Sequence, residues 1–442
     1  KTWINAIDTL SNYRICNMTT HPGMCDEEAL SGTRVHLRIR PPLEAHGCLS
    51  ITGPDTVGIS AQGYSKPPCN VTHYSFDGVH GPESSQEALF RSVAQAVDAA
   101  SNGYKTGLLA YGQTGSGKTH TLLGSLTTDA KAGILPRAVH RLFQSSQPGS
   151  TKVVLSVVEV YCERVRDLLA PDKDNLQVQE RNGSVTVVDV TCCTLSSARE
   201  CMDVLAPALA RRATSATAMN ASSSRSHCVV TLQIARKGGN GETTMGKLCL
   251  VDLAGSERAG RTKTEGHSLA EGSLINLSLS SLTRVVSGLT DEAHPKTHIP
   301  YRSSKLTRLL QDVLGPGSHT VLILCVSSAA VDAQETLSTL RFGARAKHIP
   351  AQPARRIAVE SAAAAGAAPA DATPSEHPGR GQSAPSTKTV PRPSHRTKAL
   401  KTVPLRRVRL AMACLAAVQA CAVCWISHHY WQTSHLCMLR VS

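Results

Sequence analysis

Residues that could bind phosphate are concentrated in the segment GQTGSGKT, residues 112–119, which directly follows the apolar run GLLAY. The segment fits the pattern G-x-x-x-x-G-K-[ST], in which glycines let consecutive backbone N–H groups face the phosphates and the following helix adds its positive end. In such a loop Lys118 reaches the outer phosphates and the hydroxyl of Thr119 ligates Mg²⁺. The alternative, a chance turn rich in glycine and serine, does not explain a complete motif set between a strand and a helix. The pattern therefore predicts a nucleoside triphosphatase.

Two further polar segments could complete such a site. NASSSRSH, residues 220–227, precedes an apolar strand, and DLAGSE, residues 252–257, leaves the end of another. Asp252 could sit in the second shell of Mg²⁺, and Gly255 could offer its backbone N–H to the γ-phosphate. Hydrolysis requires the γ-phosphate to be clamped, the metal to be held and a water to be placed in line. Each segment alone could be a surface loop, but in this order they resemble two switches that sense the γ-phosphate.

Strands and helices that alternate along the chain must position these loops. The β-rich apolar runs are 34–40, 107–111, 153–161, 228–235, 247–255 and 320–328. The helical segments between them are 86–102, 136–145, 197–214, 269–289, 305–314 and 335–347. Strands broken by helices predict an α/β fold, a sheet with helices on both faces.

Composition and charge limit the partners. The chain has 442 residues, 41% of them hydrophobic, and a net charge of +14. That charge favours an acidic partner, which could be nucleic acid, anionic lipid or an acidic protein surface. The fifteen cysteines show no disulfide framework, which is typical of a reducing compartment. A nucleic-acid-binding module with basic residues interleaved with aromatics is absent from the sequence, so no nucleic-acid partner is expected.

Changes in composition divide the chain. Residues 1–33 are expected to be an N-terminal extension and 34–349 the folded domain, whereas 350–409 carries eleven Lys or Arg against three Asp or Glu and is expected to be a disordered basic linker. The C-terminal segment 410–442 opens with an apolar run, 410–426, near the lower length limit for a membrane span. A membrane anchor there is less favoured than a helix packed on the domain or on a partner. No heptad repeat occurs, so a monomer or partner-dependent assembly is expected.

Five segments together resemble the signature segments of the kinesin motor domain, in that family's order and spacing. They are AYGQTGSGKTHT, MNASSSRSH, LVDLAGSER, HIPYRSSKLTRLLQD and ETLSTLRFGARAK. The resemblance covers 34–349 and is closest to kinesins with an N-terminal motor, conventional kinesin in its second half. It implies a P-loop NTPase with a central, mainly parallel sheet, ATP hydrolysis with Mg²⁺, and binding to microtubules in the cytoplasm and cytoskeleton.

Residue by residue, the resemblance implies several functional sets. The nucleotide-binding set is Arg38, Arg40, Pro41, Gly112, Gln113, Thr114, Gly115, Ser116, Gly117, Lys118, Thr119 and His120. The catalytic set is Asn220, Ser223, Arg225, Gly255 and Glu257, with Arg225 and Glu257 closing as a salt bridge. The metal set is Thr119 and Ser224, with Asp252 acting through water. The microtubule-binding set is Arg258, Arg261, Lys263, His298, Tyr301, Arg302, Lys305 and Arg308.

Departures from the family pattern affect the track-facing side and the linker. In EGSLINLSL, Leu277 stands where the family has Lys, which predicts weaker microtubule binding. After residue 347, Pro350 and Pro353 remove backbone donors that a docked neck linker would use. We therefore expect a plus-end motor that is weakly or not processive. The alternative is a microtubule-stimulated ATPase that regulates filament ends without stepping.

Overall fold

A computed structural model describes residues 13–18, 30–41, 47–60, 71–126, 129–144, 150–181, 183–218, 224–238, 242–257, 267–291 and 298–360. All of them belong to one unit, Lys1–Ala368, and the second unit, Pro369–Ser442, lies outside the described residues. The expectations for Asn220, Ser223, Arg258, Arg261, Lys263 and the apolar run 410–426 therefore fall outside the described part of the chain.

The elements follow the expected alternation of strands and helices. The strands are β1 (Tyr13–Met18), β2 (Arg34–Ile39), β3 (Leu49–Ile51), β4 (Thr56–Ser60), β5 (Val71–Ser75), β6 (Gly78–His80), β7 (Lys105–Tyr111), β8 (Thr151–Tyr161), β9 (Arg164–Asp167), β10 (Val178–Arg181), β11 (Ser184–Val187), β12 (Cys193–Leu195), β13 (His227–Lys237), β14 (Thr243–Asp252), β15 (His319–Val326) and β16 (Arg355–Glu360). The helices are α1 (Gln86–Ser101), α2 (Lys118–Leu122), α3 (Ile134–Gln144), α4 (Ala198–Ala218), α5 (His267–Leu289), α6 (Lys305–Leu310) and α7 (Ala333–Ala346).

One large sheet organises the unit, with strands in the order β12-β8-β13-β14-β7-β15-β2-β6. The five strands from β14 to β6 are parallel to one another, and the strands from β12 to β14 pair antiparallel. The expected central, mainly parallel sheet is therefore confirmed, with its antiparallel strands gathered on one side. Because β7 and β14 are adjacent and parallel, the loops that leave their carboxyl ends meet at one edge.

Helices cover both faces of this sheet, as expected. Alternate residues of β7 point to opposite sides, so Leu108 packs with α1, α3 and α4 while Leu109 packs with α5, α6 and α7. All eight residues of β15 are buried, which explains why its sequence is a continuous apolar run rather than an alternating one. The two-sided core thus holds the strand ends that carry the motifs.

Some elements differ from the sequence-based expectation. The helix expected over 305–314 ends at Leu310, and the next residues form turns in which Leu314 N–H still donates to the carbonyl of Leu310 at 2.8 Å. Two small antiparallel sheets, β3-β4-β5 and β10-β11, were not predicted. Their strands have three to five residues, too short for a periodic pattern to register.

The segment after α7 corrects the expectation of a disordered linker from residue 350. Gln352 N–H donates to the carbonyl of Pro316 at 2.6 Å, and Arg356 N–H donates to the carbonyl of Gly103 at 3.0 Å. Strand β16 then pairs antiparallel with both β1 and β14. Pro350 and Pro353 precede the strand, so the donors they lack are not donors of its ladder. The proline argument against an ordered linker is therefore wrong for residues 350–360.

The described helices bear on the question of a membrane span. Within that part of the chain, none is both long enough and apolar enough to cross a bilayer.

Candidate nucleotide site and adjoining basic face

The phosphate loop leaves β7 through backbone conformations that its glycines make accessible. Gly112 has a φ of +147°, and a Cβ at that position would lie 2.0 Å from the carbonyl oxygen of Cys325 on β15. Gly117 has a φ of +98° and caps the start of α2 in the left-handed region. The loop is therefore held tightly against the neighbouring strand and then released directly into a helix, which is the geometry that exposes successive N–H groups.

Lys118 lies within the loop and is 6% exposed. Its ammonium donates to the carbonyl oxygens of Gly112 and Gln113, each at 2.8 Å. Burial lowers the pKa of Lys118, while the carboxylate of Asp252 acts in the opposite direction. The ammonium is thus poised on two neutral carbonyls, which phosphate oxygens, as anionic acceptors, can outcompete.

Asp252, at the end of β14, connects the loop to the rest of the sheet. Thr119 Oγ1 donates to Asp252 Oδ2 at 2.8 Å, and Arg212 of α4 donates to the same oxygen at 2.6 Å. Arg212 and Asp252 are both 3% exposed, so the ion pair is fully buried. The second oxygen of Asp252 and the buried hydroxyl of Ser226 have no hydrogen-bond partner. Hydroxyl and carboxylate oxygens are the ligands that Mg²⁺ prefers, so these residues fit that ion.

Arg212 is a functional candidate that the motif search missed. It lies 40 residues before Asp252, in a helix and outside the recognised segments. A signal did exist, because the buried face of α4 runs through Cys201, Leu205 and Ala208 and reaches Arg212 at the next helical step. A charged residue in register with a buried apolar face needs a buried partner.

The segment 252–257, the second switch, is tied to the segment 220–227, the first switch, and to the phosphate loop. Gly255 N–H donates to the carbonyl of Ser224 at 2.7 Å, and Ser256 N–H donates to the carbonyl of Gly112 at 3.1 Å. The Glu257 carboxylate accepts from Thr114 N–H at 2.8 Å and from the Thr114 hydroxyl through a short bond. Glu257 therefore rests on the phosphate loop here, and its closure with Arg225 stays a prediction.

The residues expected on the base side lie around the outer end of the loop. Arg40 donates to the carbonyl of Gly115 at 2.8 Å. Arg38 donates to Gln86 Oε1 at 2.7 Å, and Gln86 donates to the carbonyl of His120 at 2.6 Å. Gln86, the first residue of α1, thus links two members of the expected set and was not predicted. Pro41 is exposed just after β2, and the loop residue Ser116 is buried against the carbonyl of Gln113.

The described members of the expected microtubule-binding set gather on α6 and the turn before it. His298 and Arg302 are exposed, whereas the ring hydroxyl of Tyr301 donates to the carbonyl of Leu314 at 2.6 Å. Burial raises the pKa of Tyr301 to about 12. The structure thus gives Tyr301 a supporting role in packing, and exposed charge is supplied by its neighbours.

Both cations on α6 have hydrogen-bond partners within the protein. Lys305 donates to Gln177 Oε1 at 3.1 Å, and Arg308 forms an ion pair at 3.1 Å with Glu180 of β10. Leu277, on the neighbouring helix α5, is 36% exposed. The substitution noted in the sequence therefore places an apolar side chain on the surface.

The chain is similar in sequence to proteins of the kinesin family. The kinesin motor domain family model matches residues 55–349. The chain is 45% identical over 284 residues to a kinesin heavy chain of Botryotinia fuckeliana, covering 62% of this chain and 32% of that one. It is 44% identical over 303 residues to the kinesin-like protein KIN-1 of Arabidopsis thaliana, covering 66% and 65%.

A solved structure of a fast kinesin is similar as well. That structure was described with its implications for ATPase mechanism and interactions with microtubules. It superposes with a TM-score of 0.66 at 39% identity, covering 72% of this chain and 92% of that one. The chain spans about a third of the length of the first kinesin heavy chains it matches.

Proposed function

The chain belongs to the kinesin motor family, and on that premise we propose that it is an ATP-hydrolysing motor that couples nucleotide state to microtubule binding. One observation carries the proposal most directly. Among the contacts that join the phosphate loop, the first switch and the second switch, three are Thr119 with Asp252, Gly255 with Ser224, and Glu257 with Thr114. Each contact uses a group that a bound triphosphate would claim. Binding of ATP therefore rearranges both switches at once.

The residues exchange partners as follows. Lys118 leaves the carbonyls of Gly112 and Gln113 and pairs with the outer phosphates. Gly255 N–H leaves Ser224 and donates to the γ-phosphate. Thr119 and Ser224 are proposed to hold Mg²⁺, with Asp252 acting through water. When bound, that ion neutralises charge that develops on the phosphate oxygens.

The catalytic step is assigned to the two switches. Glu257 is proposed to leave Thr114 and to pair with Arg225, which closes the site and orients the attacking water. An exposed pair of this kind is worth little for stability, so its value lies in linking two loops. Asn220 and Ser223 complete the first switch in this proposal. Ground-state binding therefore depends on Lys118, and hydrolysis depends on Glu257.

The track-facing surface is proposed to use charge against the acidic face of tubulin. Arg258, Arg261 and Lys263 would act with His298, Arg302, Lys305 and Arg308. The ion pair that Arg308 forms with Glu180 lowers the charge available in the free protein, whereas the hydrogen bond of Lys305 to Gln177 restrains its side chain and leaves its charge in place. Together with Leu277, the Arg308 pair favours weak binding. We propose a location on cytoplasmic microtubules.

The linker bears on direction of movement. Strand β16 continues the chain from α7 and pairs with β14, which lies beside the phosphate-loop strand β7. An ordered linker favours plus-end stepping over the alternative of a non-stepping regulator of filament ends. We propose weak or absent processivity for the 442-residue chain, whose sequence contains no heptad repeat to pair two heads.

ATPase turnover measured with and without microtubules tests this proposal, combined with gliding of polarity-marked microtubules over surface-bound protein. We expect stimulation by microtubules and gliding that indicates plus-end movement. Stimulation without gliding would favour the regulator, and turnover indifferent to microtubules would reject both functions.

A further inference from the structure

A buried histidine connects the second switch to helix α5. His227, the first residue of β13, is 2% exposed, and the next residue, Cys228, pairs with Asp252 across the ladder. The imidazole therefore lies beside the point where the switch leaves β14. Ala254 N–H donates to His227 Nδ1 at 2.9 Å, and His227 Nε2 lies 2.8 Å from the hydroxyl of Ser278 on α5. One ring thus touches the switch with one nitrogen and the helix with the other.

The partners of His227 determine which group donates in each hydrogen bond between Ala254 and Ile275. A backbone N–H can only donate, so Nδ1 of His227 must accept from Ala254. The neutral ring then carries its proton on Nε2 and donates to Ser278, which in turn donates to the carbonyl of Ile275 at 2.7 Å. Burial, followed by the charges of Arg212 and Lys118, lowers the pKa of His227 to about 3, so the ring is neutral at physiological pH.

We propose that His227 is a positioning residue that makes the hydrogen bonding of α5 depend on the nucleotide-dependent position of the second switch. The inference rests on the proposed motor function and names the side chain that links the nucleotide site to helix α5. Antiparallel pairing with β8 and β14 on either side fixes the backbone of β13, so the His227 side chain is attached to a part of the sheet that does not move with the switch. The switch is the moving part, because Gly255 and Glu257 are the residues proposed to change partners when a triphosphate binds.

Movement of Ala254 has a discrete consequence for the helix. When its N–H leaves Nδ1, the ring would keep a buried acceptor without a donor, which is costly. The ring cannot avoid that cost by moving its proton to Nδ1, because Nδ1 would then be a buried donor without an acceptor. It can avoid the cost by rotating about its side-chain bonds to follow the N–H, and that rotation withdraws Nε2 from the hydroxyl of Ser278. The relay therefore has two arrangements, with the Nε2–Ser278 hydrogen bond kept or broken, and the switch position selects between them.

Variants of the helix serine test the relay while leaving His227 itself unchanged. Ser278→Ala removes the hydroxyl and leaves the Ala254–His227 bond in place, and Ser278→Thr keeps a hydroxyl. Ser281→Ala is the matched control, because Ser281 is a fully buried serine on the same helix whose hydroxyl accepts from Arg284 instead. Thermal midpoints of all three variants establish that they fold.

Hydrogen–deuterium exchange is measured on the full chain with ADP and with a non-hydrolysable ATP analogue. We expect the analogue to change protection in α5 as well as in residues 253–257. Ser278→Ala should keep the change in the switch but reduce the change in α5 about three- to tenfold, the effect of one neutral hydrogen bond. Ser278→Thr should restore it, and Ser281→Ala should behave as the wild type.

The relay is overturned by an α5 response in Ser278→Ala equal to that of the wild type. An equal loss in Ser281→Ala, or a wild-type α5 that ignores the nucleotide, overturns it too. Turnover with microtubules, measured on the same preparations, is a separate readout. Absent stimulation together with the expected exchange pattern would reject the motor function and support the relay.

Discussion

Replacement of Arg212 by Met tests how strongly the nucleotide site depends on a buried charge. The guanidinium donates to Asp252 Oδ2 at 2.6 Å and to the carbonyl of Ser226 at 3.0 Å, and it is 3% exposed. Met keeps most of the length of the arginine side chain but cannot donate a hydrogen bond. The Asp252 carboxylate then stays charged, with the Thr119 hydroxyl as the remaining one of its two donors. Removing one member of a buried ion pair costs about 3–5 kcal/mol, because the remaining charge stays desolvated. We expect the free energy of unfolding to fall by about 4 kcal/mol.

The structure offers a control with the same chemistry at the surface. Arg141 donates twice to the carboxylate of Asp98, each time at 2.7 Å, but the two side chains are 43% and 34% exposed. Water screens that pair, so Arg141→Met is expected to cost no more than about 1 kcal/mol. The contrast between the two substitutions isolates burial as the cause.

Urea unfolding followed by circular dichroism measures both effects, with slopes compared to verify that the unfolded states are equivalent. A double variant, Arg212→Met with Asp252→Asn, should recover part of the loss, because the carboxamide carries no stranded charge. The reasoning is refuted if Arg212→Met lies within about 1 kcal/mol of the wild type, the scale of a surface pair. It is also refuted if removing the Asp252 charge recovers nothing.

Four further expectations follow from the same contacts. Lys118→Ala should abolish ATP binding, whereas Glu257→Ala should permit binding and block hydrolysis. Labelled-nucleotide binding and single-turnover assays separate the two effects. Equal nucleotide affinity in the wild type and Lys118→Ala would contradict the assignment. Microtubule affinity should fall as salt is added and rise in Leu277→Lys, measured by co-sedimentation, because the contact is charge against an acidic surface; an affinity indifferent to both would contradict it. Burial alone would raise the pKa of Asp312, but Lys247 and Lys105 outweigh it and lower the pKa to about 2. The lowered pKa contributes about 2 kcal/mol to the free energy of unfolding, which is present above pH 4 and lost as the pH falls towards 2. The free energy of unfolding of Asp312→Asn should therefore lack this loss in an acid titration. Single molecules of the 442-residue chain should show short or no processive runs by fluorescence imaging, and long unidirectional runs by verified monomers would contradict this.

The phosphate loop could be predicted from the sequence because the residues that form it are consecutive in the chain. Eight consecutive residues carry the motif, and the glycine positions are dictated by backbone geometry, as the close approach of Gly112 to Cys325 illustrates. The alternation of strands and helices could be predicted for a similar reason, since each long element carries its own period.

What could not be predicted depends on contacts between distant residues. Arg212 meets Asp252 across 40 positions, and Gln86 meets His120 across 34, so neither appears in a local pattern. The contact of Glu257 with Thr114 joins positions 143 residues apart, which no motif encodes. The linker was misread because Pro353 was weighed without knowing the register of β16, which begins two residues later.

The pairing of β16 with β1 has a mechanical consequence. Six residue pairs join the strands, from Met18 with Arg355 to Tyr13 with Glu360, so a pull that enters at residue 360 reaches the Tyr13 pair first. The ladder then transmits tension to the remaining pairs in succession before α7 is loaded. Two strands that separate one residue pair at a time do so at a lower force than two strands whose hydrogen bonds are all loaded together. Removal of the first 18 residues would therefore lower the force at which the linker detaches, without removing any residue of the phosphate loop or the two switches.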